Sequence, residues 1–150
     1  MEFAWSVKIG VLFSAIYLWV GMLTGVWKYF QIRRSPQARA HYYVDIAHRS
    51  SLLYAPAALI LAVMAYFSAW QESLNIACVI INLVFFSASI LAYIIHGMLK
   101  DTQNQFKEPH QLGVWQIDKR IMLFLMLSLI IAELAGTTIL LSGVLLAFCF

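Results

Sequence analysis

Three residues capable of metal binding or proton transfer lie close together in one short stretch of the sequence. His41, Asp45 and His48 are spaced i, i+4 and i+7, which places all three on one face if a helix begins by residue 41. Imidazole and carboxylate at that spacing can ligate a metal, or the carboxylate can orient a ligating imidazole. They can equally be interfacial polar residues at a helix start, where the helix dipole favours Asp45. The spacing leaves both interpretations open, because only three ligands are visible.

A second polar stripe follows in a later apolar segment. Its members follow a spacing of i, i+4, i+7 and i+11 and share one helix face: Ser89, Tyr93, His96 and Lys100. If this helix pairs antiparallel with the helix that carries His48, then His48 and His96 lie near the same membrane level. The stripe predicts either a polar pocket at the inner leaflet or a belt aromatic beside a snorkelling interfacial base.

Glu133 is an acidic residue inside another apolar segment. It lies about twelve residues from the start of that segment, which is roughly 18 Å at 1.5 Å per residue. A carboxyl near the bilayer centre is costly and usually faces the bundle interior or a cavity, so Glu133 is a functional candidate. The structural alternative is a hydrogen bond that fixes helix packing, with Ser128, Thr137 and Thr138 as available partners.

The composition shows what kind of scaffold must position these residues. The chain has 150 residues, of which 63% are hydrophobic and 11% charged, against about 45–50% and about 25% in soluble domains. A domain of this size buries only about two-thirds of the surface of its unfolded chain, so the excess apolar surface must face membrane lipid. This excludes a cytosolic enzyme and a nucleic-acid binder.

Four segments are long enough to form membrane-spanning helices, since a span needs about 20 apolar residues. We predict an all-α membrane protein with one domain over residues 1–150, an antiparallel bundle of four transmembrane helices at about 3–29, 44–70, 74–99 and 118–149. On the first helix Gly21 and Gly25 form a small-xxx-small face, suited to packing within the chain or between chains.

The basic residues predict the orientation of the bundle. All ten Lys and Arg residues except Lys8 flank the first and third loops, so the positive-inside rule places these loops in the cytoplasm and both termini outside. We therefore expect a multi-pass protein of a bacterial inner membrane. Aromatic residues near these loops predict a belt at the inner interface: Trp27, Tyr29, Tyr42, Tyr43 and Trp115.

Part of the sequence resembles a known family. Ala47-His48, with the apolar run that follows it, resembles the Ala-His that opens the second helix in styrene oxide isomerase and the related hydroxylaminobenzene mutases, which are small four-helix membrane proteins. In that register the tyrosine of the family's third helix falls on Tyr93, and Asn104-Gln105-Phe106 is also similar after a small gap. The resemblance covers residues 38–106, about half of the chain.

The resemblance implies a cofactor, an assembly and site residues. It implies a homotrimer with haem b between neighbouring subunits, in which ferric iron acts as a Lewis acid on the epoxide oxygen of a small apolar substrate. His48 would ligate the iron and Tyr93 would orient the substrate, while the family's substrate-positioning asparagine falls on Tyr54, a departure that puts the substrate in doubt. The residues themselves add that Asp45 can support the imidazole or contact a neighbouring subunit, and that Arg34, Arg39 and Arg49 can pair with haem propionates or with anionic lipid headgroups.

Two hypotheses from different classes follow. The first is a membrane-embedded isomerase that acts on a small apolar substrate with haem or metal chemistry. The second is a non-catalytic trimeric inner-membrane protein without a cofactor, whose cavity holds lipid or water and which serves envelope integrity. Under the second hypothesis His41, His96 and Glu133 are packing or cavity residues. A channel or transporter ranks lower, because the sequence has no inverted repeats or interrupted helices.

Overall fold

The computed structural model describes residues 2–149 as four long helices and one short β-hairpin. The helices are α1 (Trp5–Arg34), α2 (Tyr42–Phe67), α3 (Glu72–Leu99) and α4 (Lys119–Cys149), and the hairpin strands between α3 and α4 are β1 (His110–Leu112) and β2 (Trp115–Ile117). Each helix is long and apolar enough to cross a membrane. This confirms the prediction of an all-α bundle built from four apolar helices.

Contacts at one end of the bundle show that successive helices run antiparallel. The backbone N–H and the hydroxyl of Ser6, at the start of α1, donate to the Glu72 carboxylate at the start of α3, at 2.8 and 2.9 Å. The Ala69 amide, in the turn between α2 and α3, donates to the carbonyl of Gly143 near the end of α4 at 3.0 Å. We call this the turn end, and the opposite end, with loops 35–41 and 100–118, the loop end.

Glycines allow α1 and α2 to approach closely. A Cβ at Gly10 would lie 2.8 Å from the Cβ of Ala62, and a Cβ at Gly21 would lie 2.6 Å from Cδ2 of Leu52. Close approach matters here because lipid removes the hydrophobic drive between helices and leaves van der Waals contact to hold them together. The small-residue face of α1 is therefore used for packing within the chain.

A buried tyrosine links α1 to α3 in the interior of the bundle. Tyr17 is 3% exposed, and its hydroxyl lies 2.8 Å from the carbonyl oxygen of Leu83 and 2.8 Å from Oγ of Ser87. The hydroxyl donates to the carbonyl and accepts from the serine. Because lipid offers no water to polar groups, these bonds satisfy the phenol and fix the register of α1 against α3.

The observed boundaries differ from the predicted ones at the loops. α1 continues past the predicted end near residue 29, because Arg33 and Arg34 in its last turn complement the helix dipole. α2 ends at Phe67, where Ser68 adopts an extended conformation. The sequence did not predict the antiparallel hairpin in the third loop, whose two-residue turn has Gly113 at φ +61° in its first central position.

Candidate functional site

His48 lies half-buried on α2 with its ring against α1. Its Nδ1 is 2.8 Å from the carbonyl oxygen of Gly21, and because a carbonyl can only accept, Nδ1 carries the proton and donates it. The ring rests on Gly25, where a Cβ would lie 2.8 Å from the imidazole Cε1. In the neutral form of this ring the lone pair is on the other nitrogen, Nε2, which can ligate a metal or accept a proton.

Asp45 pairs with basic side chains at the loop end. Its carboxylate lies 2.5 Å from Nζ of Lys28 on α1 and 3.0 Å from a guanidinium nitrogen of Arg49, one turn further along α2. These pairs join the end of α1 to the start of α2. The orientation of His48 is thus set by the Gly21 carbonyl, while Asp45 serves the junction between the two helices.

His41 lies at the N-cap position of α2. Its backbone N–H donates to Oε1 of Gln31 at 2.8 Å, and the residue lines a cleft together with Lys100, the residue that follows α3. Burial lowers the pKa of His41, and the charge of Lys100 lowers the pKa further, while Asp101 opposes both effects. Within residues 2–149 no three His, Cys, Asp or Glu side chains come together as a metal ligand set. His48 contacts Gly21 and Gly25 of α1, whereas His41 lines a cleft with Lys100, so the two histidines have different surroundings.

Tyr43 is the central aromatic residue at the loop end. It is 3% exposed, and its ring stacks on Tyr93 with centroids 6.0 Å apart and lies 4.9 Å from the ring of His96. Its hydroxyl oxygen accepts the backbone N–H of Gln105 at 2.6 Å. The sequence pattern assigned Tyr43 to the interfacial belt together with Tyr42, but of these two neighbours only Tyr42 is exposed.

His96 is joined to the third loop by a carboxylate. Its Nδ1 lies 2.8 Å from Oδ1 of Asp101, and both side chains are 6% exposed. The other carboxylate oxygen accepts the backbone N–H of Gly113 at 2.6 Å. Burial alone would raise the pKa of Asp101, but the hydrogen bonds from Gly113 and His96 outweigh burial and hold that pKa below its usual range.

Two further predicted residues lie on α2 and α4, Tyr54 and Glu133. Tyr54 on α2 stacks on Phe86 of α3, with centroids 4.4 Å apart and planes 14° apart. Oε1 of Glu133 on α4 is buried and has no hydrogen-bond partner among the described residues. Among the described residues, Glu133 therefore carries an unpartnered carboxyl oxygen inside a candidate membrane span.

The predicted site residues fall on two sides of α2. At 3.6 residues per turn, His48 lies about 140° around the helix axis from Tyr43, whereas Tyr54 lies within about 20° of Tyr43. His48 accordingly contacts α1, while Tyr43 and Tyr54 contact α3. One chain therefore does not bring His48 and the phenols of Tyr54 and Tyr93 to a common site.

The chain was also compared with known proteins. Comparison with protein-family models, with curated proteins and with solved structures gives no match. The resemblance to styrene oxide isomerase accordingly rests on the short motifs around His48 and Tyr93 alone.

Proposed function

We propose that the protein is an integral membrane protein that binds haem b through His48 and isomerises a small apolar substrate, such as an epoxide, delivered from the bilayer. The observation that carries the proposal is the hydrogen bond between Nδ1 of His48 and the Gly21 carbonyl. Histidines that ligate metals typically donate the N–H of their other ring nitrogen to a carbonyl or carboxylate, which fixes the tautomer and the ring direction. In His48 this arrangement is formed within the protein chain itself.

The donor set fits haem better than a metal ion held by protein ligands alone. A structural zinc site needs about four protein ligands, and residues 2–149 contain no cluster of three. Haem needs only an axial ligand, which the Nε2 of His48 can supply. Arg49, with a side chain 62% exposed, can pair with a propionate, although it also contacts Asp45. When bound, ferric haem would supply a Lewis acid for an epoxide oxygen.

The other predicted residues support substrate binding from a neighbouring chain. Because His48 and the phenols of Tyr54 and Tyr93 lie on different sides of α2, a site that uses all of them requires a second copy of the protein. This is the reason for proposing a homo-oligomer, and the resemblance favours a trimer. Across such an interface the phenol of Tyr93 would donate to the substrate oxygen and orient it.

An absorption spectrum tests the proposal directly. The protein would be purified in mild detergent from haem-replete cells, as wild type, His48→Ala and the matched control His110→Ala. We expect a Soret band in the wild type and in the control, and none in His48→Ala. A colourless wild type from haem-replete cells, or a full Soret band in His48→Ala, would contradict the assignment.

A second candidate function is a non-catalytic role in the cell envelope. The observation that favours it is the stacking of Tyr54 on Phe86, because the phenol fills space where the family has a smaller asparagine. In that case a trimer would enclose lipid or water, and His48 would serve packing. This role would be established by a deletion strain that loses its outer-membrane barrier and regains it with His48→Ala, together with a wild-type protein that is colourless when purified from haem-replete cells.

A further inference from the structure

A basic cleft opens at the loop end of the bundle. It has a volume of about 600 Å³ and is bounded by the last turns of α1, the loop 35–41 and the residue that follows α3. Every ionisable side chain in its lining is basic: Arg34, Arg39, His41 and Lys100. A cleft lined by charges of one sign concentrates counter-ions of the opposite sign, so its ligand is expected to be an anion.

Three permanent cations line this cleft. Within residues 2–149, Arg34, Arg39 and Lys100 take part in no ion pair, whereas the bases that pair with Asp45 lie outside the cleft. Asp101 follows Lys100 in the chain and its charge reaches His41, but its carboxylate contacts His96 and Gly113 and forms no ion pair with Lys100, Arg34 or Arg39. The positive charge of the cleft therefore remains available to an external anion.

The wall of the cleft changes from polar to apolar along α1. Phe30 and Trp27 also line it, and they precede Arg34 by four and seven residues, or about 6 and about 10 Å along the helix axis. Phe30 is 52% exposed. Since α1 is a candidate membrane span, these rings lie on the membrane side of the arginine. A molecule that fits this gradient carries an anionic group at one end and an apolar chain at the other.

We propose that the cleft binds the phosphate of an anionic phospholipid, with the cations around the phosphate and an acyl chain along Trp27 and Phe30. Arginine suits this role because its planar guanidinium donates two parallel hydrogen bonds to phosphate oxygens. Basic residues at the cytoplasmic boundary also attract anionic headgroups by charge. A small soluble phosphate ester presents the same anionic group without the acyl chain. The site is independent of His48, so it stands whether or not the protein binds haem.

Binding to delipidated protein in detergent tests the site. The ligands would be short-chain phosphatidylglycerol, the zwitterionic phosphatidylcholine as a control, and glycerol 3-phosphate as the headgroup without chains. The cleft variant Arg34→Gln/Arg39→Gln/Lys100→Gln would be compared with Arg33→Gln/Lys107→Gln/Arg120→Gln, which removes the same charge from outside the cleft. We expect phosphatidylglycerol to bind about 100-fold more weakly to the cleft variant and with unchanged affinity to the control variant.

The arms of the experiment separate the sources of the phosphate. Tight binding of phosphatidylglycerol with weak binding of glycerol 3-phosphate supports a lipid site, because the acyl chain then contributes. Equal affinity for both ligands overturns the lipid assignment in favour of a soluble phosphate ester. If both triple variants bind phosphatidylglycerol equally weakly, the cleft is not a specific site. Positive charge elsewhere on the surface would then be enough for binding. If the triple variant fails to fold, Lys100→Gln alone is expected to weaken binding about fivefold.

Discussion

The imidazole of His96 and the carboxylate of Asp101 form a buried pair in which Nδ1 lies 2.8 Å from Oδ1. His96 belongs to the last turn of α3 and Asp101 to the loop that follows. The second oxygen of Asp101 accepts the Gly113 amide in the turn of the hairpin. One carboxylate therefore holds a loop that lacks an extensive core of its own against the end of the helical bundle.

The first prediction concerns removal of this carboxylate. Asp101→Asn removes the negative charge that accepts the hydrogen bonds of His96 and Gly113. Hydrogen bonds to charged groups contribute about 1.5–3 kcal/mol. We expect amide hydrogen exchange in residues 110–117 to accelerate by about tenfold or more. Glu108→Gln, an exposed change in the same loop, is the matched control and should leave exchange unchanged. Equal exchange in the two variants would show that Asp101 does not hold the hairpin.

The pH dependence of the same contact has a defined sign. Because the folded pKa of Asp101 is held below its usual range, its stabilising contribution is fully present above the ordinary aspartate pKa of about 3.9. It is lost as the pH falls through the lower folded pKa. Hairpin protection, corrected for the intrinsic exchange rate, should therefore stay level down to about pH 4. A decline that begins near neutral pH would point to another titrating group.

The second prediction concerns Tyr43. Its hydroxyl oxygen accepts the Gln105 amide, so Tyr43→Phe leaves that N–H without its partner while the stacking on Tyr93 is kept. We expect the free energy of unfolding to fall by about 1–3 kcal/mol, measured by thermal unfolding in detergent. Tyr42→Phe, which alters an exposed phenol, should be close to neutral. Similar effects in the two variants would contradict the role of the buried hydroxyl.

The apolar pattern predicts the number of helices because each span must be long enough to cross the hydrocarbon layer. It does not predict where a helix stops in the polar loops. α1 runs on to Arg34 because the helix dipole favours basic residues in the last turn. The hairpin depends on the Gly113 turn and on its contact with Asp101, twelve residues earlier in the chain. Such a tertiary contact leaves no periodic signal in the sequence.

For the candidate site, too, the sequence predicts some of the residues but not the contacts between them. Helical spacing identifies His48 and the small face at Gly21 and Gly25, but only the structure shows that the face receives the imidazole. Tyr43 is buried because α3 packs against it. The sequence alone does not indicate which of the adjacent tyrosines, Tyr42 or Tyr43, is the buried one. The spacing of His41 and His48 suggested a shared helix face, yet His41 precedes the first helical residue and lines a cleft with Lys100 at the loop end.

The third prediction concerns membrane orientation. Both long loops lie at the loop end, where the basic residues concentrate, so the positive-inside rule favours a cytoplasmic location for that end. Alkaline phosphatase, which is active only outside the cytoplasm, should be active when fused to the C-terminus and inactive when fused after Phe106. A green fluorescent protein fusion should show the reverse pattern. Active phosphatase after Phe106 would mean that the bundle is inserted the other way round.

The last prediction tests the packing of the His48 ring on Gly25 of α1, and it does not depend on any cofactor. Gly25→Ala places a Cβ 2.8 Å from the imidazole Cε1, and overpacking of this kind costs about 1–3 kcal/mol. In a His48→Ala background the ring is gone, and Gly25→Ala should be neutral or stabilising by up to about 1 kcal/mol, because alanine is the better helix former. The difference between the two backgrounds is the coupling energy of the pair.

Gly10→Ala provides the control for this cycle, since its Cβ meets Ala62 and not His48. It should destabilise the protein equally in both backgrounds when thermal unfolding is followed in detergent. If Gly25→Ala costs the same with and without the imidazole, the ring does not rest on Gly25. That result would also contradict the proposed orientation of His48. The close packing of the ring on α1 is what holds Nδ1 against the Gly21 carbonyl and leaves Nε2 without a partner on α1.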